Sequence, residues 1–170
     1  MRSPSLTTKQ HKLFLPENVR EVVTERWVAH QSSKAHQELD DAPFDRIVDF
    51  WLMAIVFAAS RNLPPADQPS GKKSFVSFGP SSSDIKKIPA WWPDLFVMLA
   101  VRDWGYDDER CVDPGELVKL ANCYAEAGAR ELLKQLDQRS DMGSARMYVL
   151  ANMLTEMTEE IAGAYENSVF

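Results

Sequence analysis

A chain of 170 residues with 45% hydrophobic and 26% charged positions has the size and composition of one soluble globular domain rather than a disordered, fibrous or multidomain protein. Its net charge of -6 is uneven: residues 111–170 hold five Lys/Arg against ten Asp/Glu, and the first 110 hold fourteen against fifteen. That balance argues against tight autonomous binding to nucleic acid, whose phosphates are met by a basic face.

The first residues, MRSPSLTTKQ, are polar and lack the apolar stretch of a secretory signal, so residues 1–12 are expected to form a flexible arm on a cytoplasmic protein. Residues 13–170 are expected to be a single, mainly α domain: a helical bundle with a central buried helix and one short β-hairpin-like element. Pro16 suits an opening helical turn, and Val19, Val22, Val23 and Trp27 follow at helical spacing. Gln31 to Asp41 loses that period and reads as a polar connection.

Asp41 as cap and Pro43 in the first turn predict a second helix, with Phe44, Ile47, Val48, Trp51, Ile55 and Ala58 on one face and Phe50, Met53 and Phe57 on the other. A helix from Phe44 to Ala59 that is apolar all round after its first turns belongs at the centre of the fold. The apolar run Phe50–Ala59 is ten residues, half of the ~20 that cross a bilayer, so no membrane association is expected. Arg61 and Asn62 suit the helix end, by charge and by tolerance of the left-handed conformation.

Leu63 to Lys73 holds three prolines and a glycine and is irregular, whereas Ser74–Phe78 predicts a short strand whose candidate partner is Lys12–Leu15. A second break at Gly79–Ser83 precedes a short turn through Ile85 and Ile88. A third helix is predicted from Pro93 and Asp94 to Gly105, preceded by Trp91 and Trp92. Asp113, Pro114 and Glu116 supply a cap, an N1 proline and a capping-box acid for a long helix to about Gln138. Asp141 or Ser144 caps a last helix carrying Met147, Leu150, Ala151, Leu154, Ile161 and Tyr165, which is expected to pair antiparallel with the preceding one.

Candidate chemistry is sparse. There is no GxGxxG, GxxxxGK(S/T), GxSxG or HExxH motif, and Cys111, Cys123, His11, His30 and His36 share no metal-ligand spacing. Neither a catalytic residue, a metal nor a cofactor is therefore expected; the histidines read as solvated and Cys123 as a packed thiol. Asp67 followed by Asp84, Ile85 and Lys86 loosely matches the acid and carboxylate-x-Lys pair of metal-dependent nucleases, a third and weakest functional reading because both acids sit in loops. Lys72, Lys73, Lys86 and Lys87, with Trp91 and Trp92 for stacking, form the one candidate nucleic-acid patch. Gly128 costs ~1 kcal/mol in a helix interior relative to alanine. It lies among Tyr124, Ala125, Ala127 and Ala129, so a second helix is expected to approach it closely, the last helix of this chain through Ala151 or else a different protein.

Three segments together resemble a known family. The run PFDRIVDFWLMAIVFAASRNLPP, the extended FVSFG and the motif ANCYAEAGARELLKQL are similar to small proteins encoded beside bacterial DNA phosphorothioation (Dnd) loci. In these a helix ending in an FAA-like turn with Arg precedes a YA-x-x-G helix. The resemblance covers Pro43 to Leu136 and implies a cytoplasmic accessory protein of a DNA-modification or phage-defence system, without catalytic residues. The expected partner is a larger defence or modification protein, or a second copy, met through a helix face or the acidic C-terminal third. A DNA-binding or regulatory module using the Lys/Trp patch is the alternative.

Overall fold

The computed structural model describes residues 10–28, 42–71, 74–78, 91–140 and 146–168. In chain order these form strand β1 (His11–Leu13), helices α1 (Glu17–Arg26) and α2 (Ile47–Ser60), strand β2 (Val76–Phe78), α3 (Trp92–Trp104), a 3-10 turn (Glu109–Val112), α4 (Pro114–Ser140) and α5 (Arg146–Ser168). The fold is mainly α, with one antiparallel strand pair.

At the centre lies α2, as its apolar circumference requires: Val48, Phe50, Trp51, Ala54, Ile55, Phe57 and Ala58 are all buried. Its N-terminus falls later than the predicted Asp41–Pro43 start. Phe44 accepts no helical role because its N–H bonds to the Trp27 carbonyl (3.1 Å) in a parallel bridge between Val28 and Phe44. Arg46 instead occupies the cap in extended conformation, and its guanidinium grips Asp49 at 2.6 and 3.0 Å over the first turn. The other end follows the sequence expectation. Asn62 adopts φ 51°, and the N–H groups of Asn62 and Leu63 bond back to Ala59 and Ala58 at 3.2 and 2.9 Å, which satisfies carbonyls that the last turn leaves open.

The aromatic core is built on α2. Trp51 meets Trp92 and Phe96 of α3 at ring-centroid distances of 5.2 and 6.0 Å, and Phe44 meets Phe50 edge-on at 5.4 Å. α3 ends at Gly105, whose φ of 89° a residue with a Cβ would resist. Asp113 starts α4 as predicted, its Oδ1 accepting from the N–H groups of Gly115 (2.6 Å) and Glu116 (3.1 Å). The Glu116 carboxylate meanwhile lies 3.6 Å from Lys119.

The strand pair joins the two predicted segments, in the register His11 to Phe78 and Leu13 to Val76. His11 and Leu13 face inward and are buried, so the expected arm boundary at residue 12 falls inside β1 and His11 is not a solvated side chain. His30 and His36 lie outside the described residues, as do the Gln31–Asp41 connection save its neighbour Ala42, the turn near Ile85, and the Asp141 and Ser144 caps.

Candidate interaction surfaces

Helices α2 and α4 approach each other closely at Gly128. A Cβ placed on Gly128 would stand 1.9 Å from the Ala54 carbonyl oxygen and 3.0 Å from the Ala58 Cβ, so glycine is what lets the two backbones approach. The helix predicted to approach Gly128 was α5 or a foreign helix; the structure assigns that place to α2. Ala151, the expected counterpart on α5, is exposed, because α5 turns Val149, Leu150, Met153 and Met157 inward. The sequence could not choose among these partners, since α2 also carries small residues, Ala54 and Ala58 one turn apart and Ala59 beside them.

Tyr124 is fully buried on the same face of α4. Its hydroxyl lies 2.6 and 2.7 Å from the two carboxylate oxygens of Asp103, and the Arg102 guanidinium stacks over the ring at 4.9 Å and donates to the hydroxyl. Burial, and then the bond to Asp103, push the phenol above its ordinary pKa, so it stays protonated and donates. Arg102 also donates to the Ala59 carbonyl at 3.3 Å. The cluster thus ties the end of α3 to α4 and α2.

Two polar side chains four positions apart on α4 do what sequence reasoning missed. Asn122, buried, donates to the Lys12 carbonyl (3.0 Å) and accepts from the Phe14 N–H (2.9 Å), so its amide stands where a neighbouring strand would. It thereby closes the outer edge of β1. Glu126, also buried, accepts from Ser70 Oγ at 2.7 Å and from Arg130 at 2.7 Å, fastening the proline-rich loop to α4. A polar pair at i and i+4 beside an apolar stripe was the available signal. Cys123 sits between them with its thiol pKa raised by burial, and Cys111 points its sulfur at the Gly105 carbonyl, 3.4 Å away.

Of the candidate nucleic-acid patch, the described residues include Trp91 and Trp92. Trp92 is 1% exposed and packed between Trp51 and Phe96, so it has no face to offer a base. Trp91, one position earlier and outside the helix, is 49% exposed. Lys72, Lys73, Lys86 and Lys87 lie outside the described residues, as does Asp84 of the nuclease pattern, while Asp67 sits exposed in the loop after α2. Among the described residues no group of three or more His, Cys, Asp or Glu side chains is placed to hold a metal ion.

Two surfaces stand out among the described residues. On α3, Met98 is 70% exposed; Trp91 is exposed at the N-cap just before it, and Tyr106 and Val112 are exposed beyond the end of that helix. The second is an open groove of about 1060 Å³ between the end of α2, the second half of α4, and α5. Apolar Phe57, Leu63 and Ala127 line it together with charged side chains. Two ion pairs cross it: Arg61 with Glu160 at 2.7 Å, and Arg139 with Glu156, bidentate at 2.9 and 2.7 Å. The bonds from Arg139 hold the Glu156 carboxyl below its ordinary pKa.

No family model, curated protein or solved structure matches the chain. Among the described residues no helix is long and apolar enough to cross a membrane.

Proposed function

We propose that this chain is a non-catalytic accessory subunit that works by protein–protein contact, in the cytoplasm, within a bacterial DNA-modification-linked or phage-defence system. The observation that carries the contact is the pair Trp91 and Met98. Large apolar side chains are left exposed at the N-cap and on the surface of α3, in a chain whose Trp27, Trp51 and Trp92 are almost fully buried and whose Trp104 is partly buried. Tryptophan is also the residue type that most often dominates a binding interface. The setting rests on the resemblance of Pro43–Leu136 to proteins encoded beside Dnd loci.

The test is capture from a host extract by the tagged full-length chain. A larger defence or modification protein is expected on the column, and Trp91→Ala is expected to weaken its capture about thirty-fold, equivalent to about 2 kcal/mol, with unchanged helical circular dichroism. A chain that runs as an isolated monomer and retains nothing overturns the reading. So does capture that Trp91→Ala and Met98→Asp leave intact.

A further inference from the structure

We propose that the outward face of α5 is a self-complementary seam on which a second copy of this chain packs its own α5, antiparallel, as a twofold-symmetric dimer. The buried side chains Val149, Leu150, Met153 and Met157 fasten α5 to its own body. Thr155 lies two positions from Met157, about 200° around the helix, so its face points away from that body. Tyr148 is 63% exposed there, Leu154 at the margin is 42% exposed, and Ala151, Thr155 and Thr158 are exposed as well. The two threonines are less polar than their type suggests. Thr155 donates its hydroxyl to the Ala151 carbonyl (3.1 Å) and Thr158 to the Leu154 carbonyl (2.8 Å), so neither hydroxyl needs an acceptor across an interface.

The occupant is fixed by the order of residues along α5. The run Tyr148, Ala151, Thr155, Thr158, Ala162, Tyr165 follows the three-and-four spacing of a helix-pairing seam and reads the same in both directions about the Glu156–Met157 bond. An isologous antiparallel contact demands this property, because each position meets its mirror position on the partner. Tyrosine then meets tyrosine at the two ends, and alanine and threonine let the backbones come close between them. The flanks agree. Antiparallel pairing sets Leu154 against position 161 of the second copy, an isoleucine, and Asn152 against its Glu159, whereas parallel pairing sets Leu154 against that carboxylate. Glu156 and Glu160 are drawn aside by Arg139 and Arg61 of their own chain, so they do not face a second copy's acids across the seam. The overlap is about 27 Å long and buries on the order of 1,000 Å², the lower edge of specific interfaces, which makes the dimer a reversible one. This contact lies beyond the α3 surface and does not rest on it.

Sedimentation velocity of the full-length chain between about 1 and 200 µM is expected to show a reversible monomer–dimer equilibrium with a Kd of about 10 µM. Thr155→Arg enters the contact twice, once from each copy, and is expected to weaken the dimer about a hundred-fold, with unchanged helical circular dichroism because the position is exposed. Should that variant lose helix, Thr158→Arg makes the same comparison. Thr155→Val, which removes only a hydroxyl already satisfied within the helix, is expected to dimerise at least as tightly as the parent. Orientation is read by disulfide trapping. Chains with Ala151→Cys mixed with chains with Ala162→Cys are expected to cross-link under mild oxidation. Ala151→Cys by itself is not, since the two copies of that position stand about 16 Å apart along an antiparallel pair. A chain that stays monomeric throughout the range, or a dimer that the arginine substitutions leave intact, overturns the proposal. So does trapping of Ala151→Cys with itself, which assigns a parallel pair. Trp91→Ala is expected to leave the dimer unchanged, so capture of a larger protein through α3 stands or falls separately.

Discussion

Helix α4 carries two contacts of opposite character. Toward α2 it presents glycine and alanine, and the backbones meet so closely that a single methyl group at Gly128 has no room. Toward α5 it lies in the same apolar core as the buried Val149, Leu150, Met153 and Met157, and at the rim Arg139 meets Glu156 beside an open groove. Close-packed backbone contact transmits any volume change as strain, because protein interiors have few voids to absorb it. A bridge of exposed ion pairs absorbs change easily, being held weakly in the first place. One helix therefore carries both a backbone contact with no slack and a rim of ion pairs that tolerates change.

Substitutions on the two sides should differ in size and in what they disturb. Gly128→Ala is expected to have the largest effect, about 3 kcal/mol of global destabilisation, since neither the Ala54 carbonyl nor the α4 backbone can yield without moving α2. Thermal unfolding should shift down by about 9 °C for a chain of this length. A shift under about 2 °C would mean that the two helices separate freely. Asn122→Ala comes next, at about 2 kcal/mol, because it strips the Lys12 carbonyl and the Phe14 N–H of their partner at once. Hydrogen exchange at Phe14 should rise well beyond that of α2; uniform exchange would place β1 in the global unfolding unit instead.

Arg139→Ala is expected to cost the least, under about 1 kcal/mol in global unfolding, while raising exchange across the α5 segment near Glu156. This contact should also depend on pH with a defined sign. The folded Glu156 carboxyl has a lowered pKa, so its stabilisation is present above the ordinary carboxylate range and is lost as pH falls through the lowered folded value. The protection factor near Glu156, which removes the intrinsic pH dependence of exchange, should therefore fall on acidification in the parent and stay flat in Arg139→Ala. If the two chains respond alike, the ion pair does not hold the helix.

Several elements were legible because their signals are local. Asp113 before Pro114 places the start of α4, Gly105 the end of α3 and Asn62 the left-handed exit from α2, since each meets a backbone need within one turn of itself. The pairing of β1 with β2 was readable because few segments had strand character. The start of α2 was misread for the complementary reason: Pro43 and Asp41 are good opening residues, but a bond from Phe44 to Trp27, seventeen positions away, takes the backbone elsewhere. Of the candidate patch, Trp91 and Trp92 are adjacent and chemically identical, and only the phase of α3 against Trp51 puts one outside and the other inside.

What the sequence determined by itself is therefore a mainly helical domain around one buried helix, with an acidic C-terminal third. Periodicity, capping and charge are properties of short stretches of chain and do not require knowledge of the neighbours. Tertiary structure alone decided that Gly128 meets α2, that Asn122 completes the edge of β1, and that Glu156 and Glu160 face arginines across a groove. Each of those joins residues far apart in the chain, and small side chains, amides and surface charges are compatible with many partners until packing selects one.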